Sequence, residues 1–278
     1  MAFSFSGATA NYAPAQIALE KSWTLRYHSR NTINHKPINE MKSIASSLFK
    51  CVALAGFLSF CIVGNIRAAD VAQSSALRVA CVGDSITFGA TITNRNRDSY
   101  PAQLGKFLGA GYDVRNFGHN GATLLHRGNL PYIKQKEHDN ALAFTPDIVV
   151  ILLGTNDSKH RGDGSLDSGN APDVWQYKAD FVPDYEALIA EFRKANPSVK
   201  IYVCLPTPCF PGRWGINDKT IHDEIIPLVQ QIAKDTGANI IDLNTPFAGK
   251  PELISPDTVH PNAAGAKLMA KIIYTAIK

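Results

Sequence analysis

Ser85, Asp257 and His260 are the residues of this sequence whose types and spacing suit acyl chemistry. A serine hydroxyl becomes a nucleophile beside a base, and an imidazole base needs a third group to fix its tautomer. Asp257 and His260 stand three residues apart in Asp257-Thr258-Val259-His260-Pro261, so one turn of chain can fold the carboxylate onto the ring. Ser85 lies in Gly83-Asp84-Ser85-Ile86-Thr87, directly after the apolar run 77–82. That puts the hydroxyl at the C-terminal end of a buried strand, where open α/β sheets bind ligands. A helix following the turn would offer unpaired N–H groups to a developing anion. Taken alone, each piece reads as an ordinary turn, since Gly, Asp and Ser are common after a strand.

Two more loops add chemistry. Asn116-Phe117-Gly118-His119-Asn120-Gly121-Ala122-Thr123 follows the strand-like run from Tyr112, and Gly154-Thr155-Asn156-Asp157 follows the run 148–153. All three loops fall on one edge of a parallel sheet. Gly121 can bring a bare backbone N–H close to a substrate. Asn156 can add a side-chain amide, making an oxyanion hole with the N–H of Ser85.

The order Ser, Gly, Asn, then Asp-x-x-His resembles the SGNH (GDSL) hydrolase family of esterases and lipases, over a span from about Leu77 to Tyr274. Block by block, the resemblance implies Ser85 as nucleophile, Asp257 and His260 as orienting acid and base, and Ser85, Gly121 and Asn156 as oxyanion donors. Gly121 is preferred to Gly118 because a small residue and then a Thr follow it. Thr87 stands where a Gly-x-Ser-x-Gly elbow would need its second glycine, which argues against the α/β-hydrolase arrangement. The segments 200–208 and 214–227 are similar to bacterial members described as sialate O-acetylesterase-like.

Five β-branched apolar runs can carry these loops: 77–82, 112–116, 148–153, 200–205 and 239–243. Stretches of helical spacing separate or follow them at 100–108, 131–144, 181–195, 221–236 and 263–277. Alternating strand and helix predict an α/β fold, a three-layer α/β/α sandwich around a five-stranded parallel flavodoxin-like sheet of order 2-1-3-4-5. The polar loop 158–173, directly after Asn156, is long enough to be functional.

Asp84, Arg127, Trp175 and Trp214 are further candidates for substrate contact, with Tyr177, Phe210, Arg213 and Asn217 as companions at the site edge. Aromatic faces beside polar groups suit sugar rings, although either Trp could instead pack its loop onto the body. No histidine pair has metal-ligand spacing, so neither metal nor cofactor is expected. Asn156-Asp157-Ser158 matches a glycosylation sequon, which an oxyanion donor could not use.

The 278 residues carry a formal charge of +4, unevenly distributed. Residues 1–69 hold seven Lys/Arg and two acids, a net of +5, leaving 21 basic and 22 acidic residues, or −1, on the rest. That near-neutral body carries no nucleic-acid footprint. Basic residues in 42–50, the apolar run 51–63 and Ala68-Ala69 together read as a signal peptide over 41–69. The run is shorter than the ~20 residues that span a bilayer, so no stable membrane anchor is expected. Residues 1–40 then read as an extension produced by a misassigned start, with translation beginning at Met41, or else as an unusual, disordered N-terminal extension. The domain proper is 70–278, exported to the periplasm or medium after cleavage near Ala69. Removing the leader leaves Cys81, Cys204 and Cys209, an odd number, and the spacing leaves a Cys204–Cys209 bridge open.

The expected activity is that of an exported serine esterase acting on short-chain, principally acetyl, esters of small-molecule or oligosaccharide substrates. Lysophospholipase, lipase and aryl esterase activities are alternatives within the same family. A non-catalytic carbohydrate-binding protein is the alternative outside it. Oligomeric state is not legible in the sequence.

Overall fold

The computed structural model describes residues 76–162 and 165–278. The expectations for 1–40 and 41–69 lie outside the described residues. Strands β1 (Leu77–Gly83), β2 (Tyr112–Gly118), β3 (Ile148–Leu152), β4 (Lys200–Leu205) and β5 (Asn239–Asp242) form one parallel sheet in the order β2-β1-β3-β4-β5. The helices are α1 (Ser85–Phe88), α2 (Arg95–Asp98), α3 (Tyr100–Leu108), α4 (Lys136–Ala143), α5 (Phe181–Ala195), α6 (Asp218–Thr220), α7 (Ile226–Thr236) and α8 (Ala263–Ile277). The α/β class and strand order are those expected from the sequence.

Strands covered on both faces must be apolar at successive positions, not alternate ones. In β1, Ala80 and Val82 join Val149 and Ile151 of β3 in one core layer with α4, α5 and α7. Val79 and Cys81 join Val150 and Leu152 in the other, with α3 and α8. Pro101 opens α3, and the Asn262 side chain caps α8 by accepting the N–H groups of Ala264 and Gly265 at 3.0 and 3.1 Å.

Two helices depart from their expected extents. The stretch 131–144 breaks at Gln135, which is extended, so a 3₁₀ turn at Tyr132–Lys134 precedes α4. Tertiary contacts impose the break: the Tyr132 N–H is held by Thr123 O at 2.8 Å and its hydroxyl by Phe117 O at 2.8 Å. The stretch 221–236 starts earlier, at α6, and widens into a π turn at Ile221–Ile225 before α7. Pro227 follows; it has no N–H to donate, and its ring crowds the carbonyl four residues back, which the wider turn accommodates.

The register positions the site. Gly83 of β1 lies opposite both Gly118 of β2 and Leu152 of β3. The chain therefore leaves the sheet at one edge in three adjacent places, carrying Ser85, Gly121 and Asn156.

Candidate active site

Ser85 is the first residue of α1, a single turn held at both ends. The Asp84 Oδ1 accepts the Ile86 N–H at 2.8 Å, and Gly89 ends the turn in the left-handed region at φ 89°. The Ser85 Oγ lies 2.7 Å from His260 Nε2. On the far side of the ring, His260 Nδ1 lies 2.6 Å from Asp257 Oδ2. A carboxylate at Nδ1 accepts the ring proton, which leaves Nε2 as the acceptor for the serine hydroxyl.

The Asp-x-x-His segment folds back on itself through Thr258, a β-branched residue at φ 72°. Such a conformation costs on the order of 1–3 kcal/mol and persists where surroundings enforce it. Here the Thr258 N–H is held by Ser255 O at 2.9 Å, and its carbonyl accepts the Phe210 N–H at 2.8 Å. Asp257 Oδ1 accepts the N–H groups of Val259 and His260, each at 3.0 Å. Burial pushes the Asp257 pKa up, but these bonds and that of the His260 ring outweigh it and hold the carboxyl below its ordinary range.

Gly121 and Gly118 separate clearly. A Cβ on Gly118 would meet Phe88 N at 2.2 Å, so that glycine is needed where β2 packs on α1. Gly121 lines the pocket with φ 78°, and a Cβ there would meet only Leu130, at 3.5 Å. Asn156 lies at the same pocket, 4% exposed, too buried to carry a glycan. Its Nδ2 donates to Ala122 O at 3.1 Å, and the same amide also acts on the Asp84 carboxyl.

Asp157, a residue sequence reasoning did not single out, ties these two loops together. It is fully buried, and its oxygens accept the N–H groups of Leu125 at 2.8 Å and Leu124 at 3.0 Å. Its place directly after Asn156 was the available signal. Burial raises its pKa to about 6 against those two donors, which lower it.

Ser85, Asn120, Gly121, Asn156, Trp214 and His260 wall a cavity of about 320 Å³, joined by Lys159. A larger cavity of about 460 Å³ lies between β5 and α8, but no serine, cysteine or histidine lines it, so chemistry selects the smaller one. Among the described residues, no group of three or more His, Cys, Asp or Glu could hold a metal ion. His119 and His138 pair instead with Glu137 at 2.9 Å and Glu191 at 2.6 Å.

Of the four candidate substrate contacts, only Trp214 reaches this cavity. Its ring, 39% exposed, lies 6.0 Å from that of His260, on a backbone at φ 58°. The loop 158–173 supports it: Leu166 O accepts the Trp214 N–H at 2.6 Å, and Ser165 Oγ accepts that of Gly215 at 3.1 Å.

The other three do not line the cavity. Asp84 is fully buried under α1; one oxygen caps the turn, and Oδ2 is sealed from solvent without a hydrogen bond of good geometry. Burial raises its pKa to about 7, with Asp157 adding to the rise, while the Ile86 N–H, the Lys159 ammonium and the nearby Asn156 amide draw it down. Trp175 is 1% exposed, stacks edge-on against Phe181 and donates its indole N–H to Glu224 at 2.9 Å, so it is core. Arg127 lies over the Tyr177 ring at 4.1 Å and pairs with Asp180 at 3.3 Å, outside the cavity.

Arg213 reaches Asp167 at 2.7 Å, and Asn217 caps α6. Phe210 packs against the core layer on the α3/α8 side of the sheet. Cys81, Cys204 and Cys209 are all buried, and Cys204 is a thiol, so it is not bridged to Cys209.

Residues 81–268 match the GDSL-like Lipase/Acylhydrolase family. The chain belongs to that family. It is 42% identical over 234 residues to an acetylxylan esterase of Xylanibacter ruminicola, an alignment covering 78% of this chain and 46% of that protein. The chain thus spans about half the length of this GDSL relative. Among solved structures, a carbohydrate esterase family 3 protein from Talaromyces cellulolyticus superposes with a TM-score of 0.51 at 20% identity, covering 72% of this chain and 96% of that one. A carbohydrate acetylesterase from Sinorhizobium meliloti does so with a TM-score of 0.53 at 18% identity, covering 72% and 98%. At such identities these two show a shared fold.

Proposed function

We propose that this GDSL-family chain is an exported serine esterase that removes acetyl and other short acyl groups from carbohydrates. The observation carrying this reading is the 2.7 Å contact between Ser85 Oγ and His260 Nε2, with Asp257 behind the ring, at the wall of a small cavity. His260 takes the hydroxyl proton as Ser85 attacks the ester carbonyl. The N–H groups of Ser85 and Gly121 and the side-chain amide of Asn156 receive the oxyanion. His260 then protonates the departing alcohol, and a water, deprotonated by the same ring, releases the acid and restores Ser85.

A carbohydrate alcohol is favoured by the acetylxylan esterase relative and by the exposed Trp214 ring at the cavity. The cavity lies at the small end of the ~300–1,000 Å³ typical of ligand pockets, which suits a short acyl group. A lysophospholipase would need a broad apolar patch near the site. Of the exposed large apolar side chains among the described residues, only Trp214 lines the cavity, with Leu166 beside it; Leu77, Phe107 and Ile240 lie on β1, α3 and β5. Among the described residues, no helix is long and apolar enough to cross a membrane.

Initial rates on acetylated sugars and on p-nitrophenyl esters of rising chain length test the reading. kcat/KM should peak at acetyl and fall steeply by octanoyl, with acetylated sugars preferred over aryl acetates of matched reactivity. A maximum at long chains, or activation by a lipid interface, would replace it with the lysophospholipase reading.

A further inference from the structure

Lys159 shares the cavity of Ser85 and His260, yet the reaction described above gives it no task. The residue is 8% exposed, and a lysine is almost never so buried without a partner. Among the described residues, no hydrogen bond or ion pair reaches its ammonium. Its main chain is fixed, because the Lys159 carbonyl accepts the N–H groups of Val174 at 3.0 Å and Trp175 at 3.2 Å. The side chain therefore issues from a firm anchor three residues beyond Asn156.

The two carboxylates that interact with it electrostatically do not pair with it. Asp157 uses both oxygens on Leu124 and Leu125, and Asp84 uses one on Ile86. Burial lowers the pKa of the Lys159 ammonium, and the fields of Asp157 and Asp84 oppose that drop. Among the described residues, no carboxylate lines the cavity, and Lys159 is its only lysine or arginine. The half-exposed side chain of Trp214 lines the same cavity. An aromatic face and an ammonium in one cavity match a sugar ring that carries a carboxylate.

We propose that Lys159 is a specificity residue that receives a carboxylate on the alcohol portion of the substrate, so that short acyl esters of acidic sugars are preferred. The proposal rests on the carbohydrate-esterase reading and refines it. An ammonium is a compact charge, and its attraction to a carboxylate strengthens where water is excluded. The ester oxyanion has three other donors, so assistance to the oxyanion is the competing role. That role would act on every ester alike.

The test compares two substrates that differ only at C6, an O-acetylated methyl glucuronoside and the equally acetylated methyl glucoside. With the full chain, kcat/KM should favour the acidic ester by about tenfold or more, and added salt should shrink the gap. Lys159→Met should lower kcat/KM on the acidic ester by roughly ten- to hundredfold more than on the neutral ester, with the difference mainly in KM. Lys159→Arg should retain most of the preference.

Equal rates of the unaltered protein on the two sugars would overturn the proposal while leaving the esterase reading intact. So would an equal loss on both sugars in Lys159→Met, which marks an oxyanion or structural role. If neither sugar is cleaved while p-nitrophenyl acetate is, the carbohydrate reading itself fails. Should Lys159→Met not fold, competitive inhibition of the unaltered protein decides. Glucuronate should inhibit more strongly than glucose, and equal inhibition would count against the proposal.

Discussion

Asp257 grips His260 twice: Oδ2 takes the ring at Nδ1, 2.6 Å away, while Oδ1 takes the main-chain N–H of the same residue at 3.0 Å. One carboxylate thereby fixes both the position of the imidazole and the nitrogen that carries its proton. Asp257→Asn should keep much of this geometry but present an amide N–H or an altered acceptor to Nδ1. A fall in kcat of roughly 10⁴ is expected, with KM little changed. Ser85→Ala should lose at least as much and no longer react with a fluorophosphonate, which should map to Ser85 in the unaltered protein. Labelling at another serine, with Ser85→Ala still active, would end the nucleophile assignment.

For Asn156→Ala the expected loss is roughly 10²–10³ in kcat, the usual effect of removing one oxyanion donor. KM should move little, because the amide acts on the oxyanion in the transition state. A variant with normal kcat and raised KM would make Asn156 a ground-state substrate contact.

Asp157→Asn tests the tie between the loops after β2 and β3. The amide keeps one acceptor but turns an NH₂ toward the N–H of Leu124 or Leu125, setting donor against donor. A destabilisation of about 1–3 kcal/mol is expected, read by chemical denaturation, with kcat reduced more than KM. Unchanged stability and kcat would show that Gly121 and Asn156 are positioned without it.

Asp84 and Asp157 give stability a pH dependence of defined sign. Both pKa values are raised, to about 7 and about 6, so between about 4 and those values the folded state binds more protons than the unfolded one. Their contribution to stability therefore declines as pH rises through that window. Asp257 acts in the opposite sense: its depressed pKa stabilises above the ordinary carboxylate range, and this is lost as pH falls through its folded value. Asp84→Asn preserves an acceptor for the Ile86 N–H and removes the titration. The Tm difference between Asp84→Asn and the unaltered protein should grow in favour of the variant from pH 5 to pH 8. A difference independent of pH would show that Asp84 does not titrate in this range.

Export is tested by expressing a gene begun at Met41 and sequencing the secreted protein. Its N-terminus should be Ala69 or Asp70. Intact Met1 on protein from the native host would overturn both the start-site and the signal-peptide proposals.

Sheet order and strand positions were legible because parallel strands buried on both faces must be continuously apolar, and 79–82 and 148–153 are. The residues gathered at the cavity were legible for a related reason. Ser85, Gly121 and Asn156 each follow a strand end, and strand ends in register share one edge. Helix ends were legible where local chemistry set them, as at Asn262, and not where distant contacts did. Thr123 and Phe117 break the helix at Gln135 from outside its own sequence.

The same limit applied to the side chains. A Trp in a loop reads alike whether it packs inward, as Trp175 does, or stands at a cavity, as Trp214 does. Asp84, Asp157 and Lys159 are three charges in a sequence of many. Their meaning is set by desolvation and by mutual distance, which arise only when loops from β1 and β3 meet. Sequence determined which residue types arrive at the sheet edge. Tertiary packing decided which of them are buried, which pair, and which face the cavity.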